Sequence, residues 1–350
     1  MDIYNLFSPG GQELSEDLLN EFASTAKDAV RKAIKDARNG RTTGLRLSAI
    51  GKPSRQLWFD NNPERLRIGS TAGDEQSGIP VPKDEAGRGV SAPENASSDE
   101  CSLRDGDAPV AGQLDQRLPN TTAPSDLIKF LFGHIIESLL VYFIKQSGHR
   151  LDYAQEDLEL CGVPGHPDGI LDGLPTDIKS ASAYSYKMKF ANRGLVKPGP
   201  ESDTFGYIYQ LKAYREALLA KYPDADINPE EVAWVAFNKE TGEICTLKAD
   251  VLELPSGSAT KRVQEMQRVI ARAEPPSEKC YPDVPEGKSG NRVLNKLCTW
   301  CQHKDRCWKD ANGGAGLISY DYSTGPKYFT QIAKVPRVQR TDSDFCVEPE

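Results

Sequence analysis

Apolar positions recur along this chain with two periods, and the switches between them mark its elements. Between residues 15 and 38, Leu19, Phe22, Ala26, Val30 and Ile34 share one face at helical spacing, with Ser15 as N-cap and Gly40 as the stop. A second helix is expected from Ser125-Asp126 to Gly148, with Leu127, Leu131, Ile135, Leu139 and Phe143 on its inner side. Glu137 is an acid within that apolar stretch, and an exposed-face glutamate accounts for it without a function. His134, one turn earlier, reads as a supporting residue. Residues 151–163 lead in as a strand, and residues 204–222 read as a helix with Gln210 and Tyr214 on one face. EVAWVAFN alternates as a strand and turns at Thr241-Gly242 into EICTLKA, followed by a helix over 259–273.

The stretch GHPDGILDGLPTDIKSAS carries the sharpest local signal. Asp172-Gly173 is a two-residue hairpin turn, which pairs Leu171 with Leu174, Ile170 with Pro175 and Gly169 with Thr176. One step further, Asp168 faces Asp177 in a non-hydrogen-bonded pair. Two opposed carboxylates repel unless something positive lies between them, and Lys179 points to the same face as Asp177. A divalent cation held by two carboxylates beside an ammonium suits phosphate chemistry. Surface acids on an ordinary hairpin are the plain alternative.

Composition changes the picture in two places. The net charge of −8 argues against a polyanionic partner, but ten acids against four bases fall in residues 69–125. That segment has no aromatic residue, so it cannot bury enough surface to fold and is expected to be disordered. Residues 31–55 carry eight bases against Asp36 alone, a local surface fit for phosphates. GLRLSAIGKPSRQLWFD reads as a basic loop anchored by Leu57-Trp58-Phe59, and AYSYKMKFANRG interleaves aromatic and basic residues as stacking surfaces do. Lys52 and Arg55, with Tyr184, Tyr186, Lys187 and Lys189, are the expected walls of a strand channel. With no long apolar run and no opening signal peptide, a cytoplasmic chain with no membrane partner is expected.

Cys280, Cys298, Cys301 and Cys307 follow a C-x17-C-x2-C-x5-C spacing, which points to a metal rather than disulfides. Zinc and a [4Fe–4S] cluster both take four thiolates, and spacing does not choose between them. Trp300 and Trp308 flank the cysteines and are expected to shield them. Beyond Trp308 the chain is rich in Gly and charge and shows no clear pattern.

Taken together, Glu137 on a helix, Asp168, Asp177-Ile178-Lys179 on a hairpin, and Gln210 with Tyr214 on the next helix resemble the PD-(D/E)XK nuclease core. The C-x2-C-x5-C triplet resembles the iron–sulfur branch of RecB-like nucleases, and KSAS, FGYIYQLKAY and PEGKSGN resemble its phage-encoded members. The likeness covers residues 41–68 and 126–309. It implies an α/β fold with a restriction-endonuclease-like core, a mixed central sheet flanked by helices, and a C-terminal four-cysteine module. It also implies a Mg²⁺- or Mn²⁺-dependent DNA exonuclease acting in replication, recombination or repair and leaving 5′-phosphates, with a recombination or replication partner protein left unidentified. A structure-dependent endonuclease and a non-catalytic nucleic-acid binding module are the alternatives. Under this likeness Glu137, Asp168, Asp177 and the Ile178 carbonyl hold the cation, Lys179 orients or activates water, and Gln210 and Tyr214 lie along the DNA. The branch usually takes its first cluster cysteine from the N-terminal region, which here has none, so Cys280 becomes the fourth ligand. The implied organisation is an N-terminal helix and basic segment (1–68), the acidic insertion (69–125), a nuclease core (126–275), the cysteine module (276–310) and a tail (311–350).

Overall fold

The computed structural model describes residues 15–39, 44–63, 124–197, 203–255 and 257–341. The acidic segment expected to be disordered lies outside the described residues apart from its last two positions. In chain order the chain forms α1 (Glu16–Asn39), α2 (Ser54–Asn61), α3 (Pro124–Gln146), β1 (Leu151–Asp152), β2 (Leu158–Leu160), β3 (Val163–Gly165), β4 (Gly169–Leu171) and β5 (Leu174–Ala181). There follow α4 (Ala183–Ser185), which runs into a π-helical turn over residues 186–191, then α5 (Tyr207–Lys221), β6 (Glu231–Asn238), β7 (Ile244–Asp250) and α6 (Ala259–Ile270). The C-terminal part adds β8 (Val284–Pro285), β9 (Arg292–Val293), α7 (Lys296–Thr299), α8 (Lys304–Cys307), β10 (Ile318–Tyr322) and β11 (Gly325–Gln331).

The hairpin forms in the expected register, Leu171 with Leu174, Ile170 with Pro175 and Gly169 with Thr176. Asp172 and Gly173 both take positive φ, 48° and 87°, as a two-residue turn matched to strand twist requires. From it grows a five-stranded sheet in the order β1-β4-β5-β6-β7, in which β5 and β6 run parallel and every other pair antiparallel. The molecule is therefore mixed α/β, a central mixed sheet flanked by helices.

Strand alternation decides what each face of the sheet meets. Leu171, Ile178 and Val235 pack with Leu140 and Ile144 of α3 on one face. Ala181, Trp234 and Ala236 pack with Ile208 and Leu211 of α5 on the other. α1 lies antiparallel on α3: the Ser15 N–H donates to Gln146 Oε1 at 3.2 Å, and Phe22 meets Tyr142 with centroids 5.9 Å apart. Ser15 caps α1 as expected, its Oγ accepting from the Leu18 N–H.

Three regions differ from the sequence reading. Residues 151–163 are not one strand: positive φ at Tyr153, Gln155 and Cys161 breaks them into β1 and the small β2–β3 hairpin. The basic loop contains helix α2, with Leu57, Trp58 and Phe59 all buried. Three consecutive buried residues span most of a helix circumference, so no amphipathic period was there to read. Finally, the tail is structured to residue 341, because β10 and β11 join β9 and β8 in a second sheet of order β10-β11-β9-β8.

Candidate active site

β5 is the middle strand of the main sheet, so its side chains are covered from both sides. Asp177 and Lys179 alternate with Ile178 and therefore face α5. Asp177 is fully buried, and Lys179 Nζ donates to its Oδ1 at 2.7 Å. Asp168 stands just before β4, where the hairpin ladder has ended, and its Oδ2 accepts the Ile178 N–H at 2.6 Å. The second oxygen of Asp177, Oδ2, is buried and receives no hydrogen bond.

The electrostatics follow from that packing. Burial pushes the Asp177 carboxyl up to about 7; the nearby Asp168 charge adds to the rise, while Lys179 opposes it. For Lys179, burial works against the ammonium, but the charges of Asp177 and Asp168 outweigh it and hold the group above the ordinary lysine value. Lys179 is therefore a fixed cation at neutral pH, not a proton acceptor.

Helix α5 roofs this group. Gln210 and Tyr214 are both buried and hydrogen-bonded to each other. Burial, with the charges of Asp177 and Asp168 behind it, raises the Tyr214 phenol above its usual range. The sequence reading missed Tyr207. Its ring centroid lies 5.1 Å from Lys179 Nζ, and burial pushes its phenol up to about 12. Its spacing, three residues before Gln210 and seven before Tyr214, is the signal that could have found it. Asp203 fixes the start of α5 by accepting the N–H groups of Tyr207 and Ile208 at 2.8 and 2.9 Å. Gly206, at φ 79°, and Gly51 meet so closely that a Cβ on Gly206 would lie 2.4 Å from Gly51 backbone. That contact sets α5 against the segment leading into α2.

Asp168, Asp177, Lys179, Gln210 and Tyr214 thus come together as expected. Glu137 does not reach them directly: it belongs to α3, on the other face of the sheet, and its Oε1 accepts from Gln155 Nε2 at 3.2 Å. Gln155 in turn donates its backbone N–H to Pro167 O at 2.8 Å, next to Asp168, so the glutamate is tied to the hairpin's edge through one residue. His134 Nδ1 lies 3.9 Å from Glu137. Among the described residues, no three or more His, Cys, Asp or Glu side chains are gathered tightly enough to hold a metal ion.

The expected channel walls are partly wrong. Tyr186 is buried in the core with Phe190, and Lys52 pairs with Asp60 at 3.3 Å. Arg55 turns to the cysteine module instead, donating from Nε to Cys307 Sγ at 3.1 Å, from Nη2 to Cys307 O at 3.4 Å and from Nη1 to Pro276 O. Lys189 is half-buried against Thr204, Phe205 and Tyr207, whereas Tyr184 and Lys187 are exposed.

The four cysteines lie close enough to influence one another, and of them Arg55 reaches Cys307. Burial pushes Cys298 up to about 12, with further rises from Cys280, Cys301 and Cys307 around it, and burial takes Cys280 up to about 11. α2 holds the module from the core side. Asp60 Oδ1 meets His303 Nε2 at 2.7 Å, Phe59 stacks on the His303 ring, and Trp58, Cys298, Cys307 and Trp308 share one apolar cluster. Trp308 packs against Cys298 and Cys307; Trp300 does not cover the cysteines, being 86% exposed.

Comparison of the chain with protein-family models, with curated proteins and with solved structures gives no match. Among the described residues, no helix is long and apolar enough to cross a membrane.

Proposed function

We propose that the chain is a metal-dependent deoxyribonuclease that hydrolyses phosphodiester bonds from DNA ends. The observation that carries the reading is Asp177. A fully buried carboxylate with one oxygen undonated, facing Asp168 and balanced by a single lysine, is costly in a fold that has no use for it. Its chemistry fits a hard divalent cation: Asp168 and Asp177 would supply carboxylate oxygens, with the Ile178 carbonyl as a further oxygen donor, while Glu137 stays on the far face of the sheet behind Gln155. Bound there, Mg²⁺ or Mn²⁺ would supply positive charge to the scissile phosphate.

The chain's own groups do the rest. Lys179 keeps its proton and places a cation where negative charge grows on the phosphate as water adds and the P–O bond to the leaving oxygen breaks. Asp168 is oriented by the Ile178 N–H, and Asp177 by Lys179, so neither carboxylate has to reorganise during the reaction. Gln210, Tyr214 and Tyr207 cover the charged pair from the α5 side and keep water from it. The resemblance in sequence to PD-(D/E)XK nucleases assigns the same residues, with a restriction-endonuclease-like core as the finer description of the fold and 5′-phosphate ends as the product.

For the second site we propose a metal centre on Cys280, Cys298, Cys301 and Cys307, a [4Fe–4S] cluster in preference to zinc. The support is the spacing of four soft thiol donors and their electrostatic influence on one another, with Arg55 beside Cys307 to offset thiolate charge. Brown protein from anaerobic purification would bear the cluster out, and colourless protein with one zinc per chain would replace it. The activity is tested on linear and covalently closed circular DNA with Mg²⁺ or Mn²⁺. Loss of linear DNA with circles intact is expected; equal loss of both makes the enzyme an endonuclease, and survival of both removes the activity.

A further inference from the structure

Trp300 sits between two of the module's cysteines, yet its indole is 86% exposed, and Tyr184 at the exit of β5 is 73% exposed. A single exposed aromatic needs no explanation. These two bracket a lysine: Lys296 Nζ lies 6.0 Å from the Tyr184 ring centroid. Lys296 starts α7 and Trp300 closes it, four residues on, so both project to one side of that turn. Lys187, also exposed, follows Tyr184 by three residues. The nearby carboxylate of Glu240 accepts the Ala183 N–H at 3.0 Å, at the start of α4. Tyr184, Lys296 and Trp300 therefore form an exposed strip, aromatic–cation–aromatic, joining the cysteine module to the strand that bears Asp177 and Lys179.

Flat apolar faces spaced by ammonium groups match a ligand of flat bases spaced by phosphates. A duplex hides its base faces in the stack, and an apolar protein partner gives the lysines nothing to pair with. We propose that this strip binds single-stranded DNA by base stacking on Trp300 and Tyr184, guiding the unpaired strand toward the Asp168–Asp177–Lys179 site. The proposal rests on the phosphodiesterase reading above and adds to it the substrate class and a role for the cysteine module, which carries Trp300 to the strand.

The test is equilibrium binding by the full chain, without added divalent cation so that nothing is cut. The probes are a fluorescent oligothymidylate of about 16 nucleotides and a blunt duplex of equal length. Wild-type protein is expected to prefer the single strand. Trp300→Ala and Tyr184→Ala should each weaken that binding about tenfold or more, and Trp300→Phe should keep most of it. Tyr184 stands outside the module, so its variant reads stacking even where Trp300→Ala disturbs the cysteines. Unchanged binding in both alanine variants, preference for the duplex, or no binding of either probe overturns the proposal. Stacking-dependent binding by a protein that cuts nothing with Mg²⁺ or Mn²⁺ bears out the strip and removes the nuclease reading alone.

Discussion

The two candidate sites are held in opposite ways. The carboxylate site rests on neighbours in sequence: Asp168, Asp177 and Lys179 lie within a dozen residues, positioned by one hairpin and its turn. The cysteine module is held from afar, by Arg55 and Asp60 of α2 reaching residues more than two hundred positions away. The first is rigid because strands cover β5 on both sides, so its cost is a buried charge. The second joins the core through one apolar cluster and a few polar clamps from α2, so its weakness is mechanical. Chemistry and stability should accordingly separate between them.

The largest expected effect breaks the first site without touching the second. Asp177→Asn and Lys179→Ala should each lower DNA hydrolysis at least about 100-fold. Asp177→Asn removes a buried charge while Asp168 still faces the Lys179 ammonium, so the variant should stay folded, and thermal unfolding beside the nuclease assay reads both halves of the expectation.

Gly206→Ala should strike the joint between the two regions. It combines a positive φ with contacts below 3 Å to Gly51, for a loss of about 2–5 kcal/mol in denaturant unfolding. An unchanged midpoint would show that α5 and the α2 segment can shift apart freely.

Arg55→Ala should act on the second site alone. It leaves the carbonyls of Pro276 and Cys307 without this donor, a loss of about 1–3 kcal/mol, and should lower the metal content of the purified protein. Metal analysis and melting of the variant check both.

The smallest effect is a pH dependence of the second sheet. Arg292, donating to Asp283, holds that carboxyl below its ordinary value, with Thr330 adding a second hydrogen bond. Burial works against Glu286, but Tyr322, Asn291 and Ser289 outweigh it and lower it too. Depressed carboxyls stabilise the fold above the usual carboxylate range and lose that contribution as pH falls through their folded values. Amide protection in β9 and β11, relative to the intrinsic exchange rate, should therefore fall below about pH 4 before that in β5 and β6 does. Simultaneous loss in both sheets would contradict it.

The same contrast explains what the sequence made legible. The hairpin register, α1, α3, α5 and the β6–β7 pair are set by turn chemistry and period, which lie in short windows. Gln210 and Tyr214 were visible as a spaced pair, and Tyr207 belonged to the same face but has no charge to draw notice. The use of Arg55 and Lys52 was not legible, because a basic residue looks the same whether it meets phosphate, Asp60 or a cysteine sulfur. Helix α2 hid its period by burying Leu57, Trp58 and Phe59 together. Glu137 was visible as an isolated acid, but only the fold shows that Gln155 stands between it and the hairpin.

The central claim is that the buried Asp177, with Asp168 and Lys179, exists to act on phosphodiesters with a divalent cation. Its most direct test is hydrolysis of linear single-stranded DNA by wild-type and Asp177→Asn protein, with Mg²⁺, with Mn²⁺ and with chelator. Cleavage by the wild type with either metal, none with chelator and none by the variant is the predicted result. Full cleavage by the variant, or no cleavage by the wild type with either metal, would contradict it.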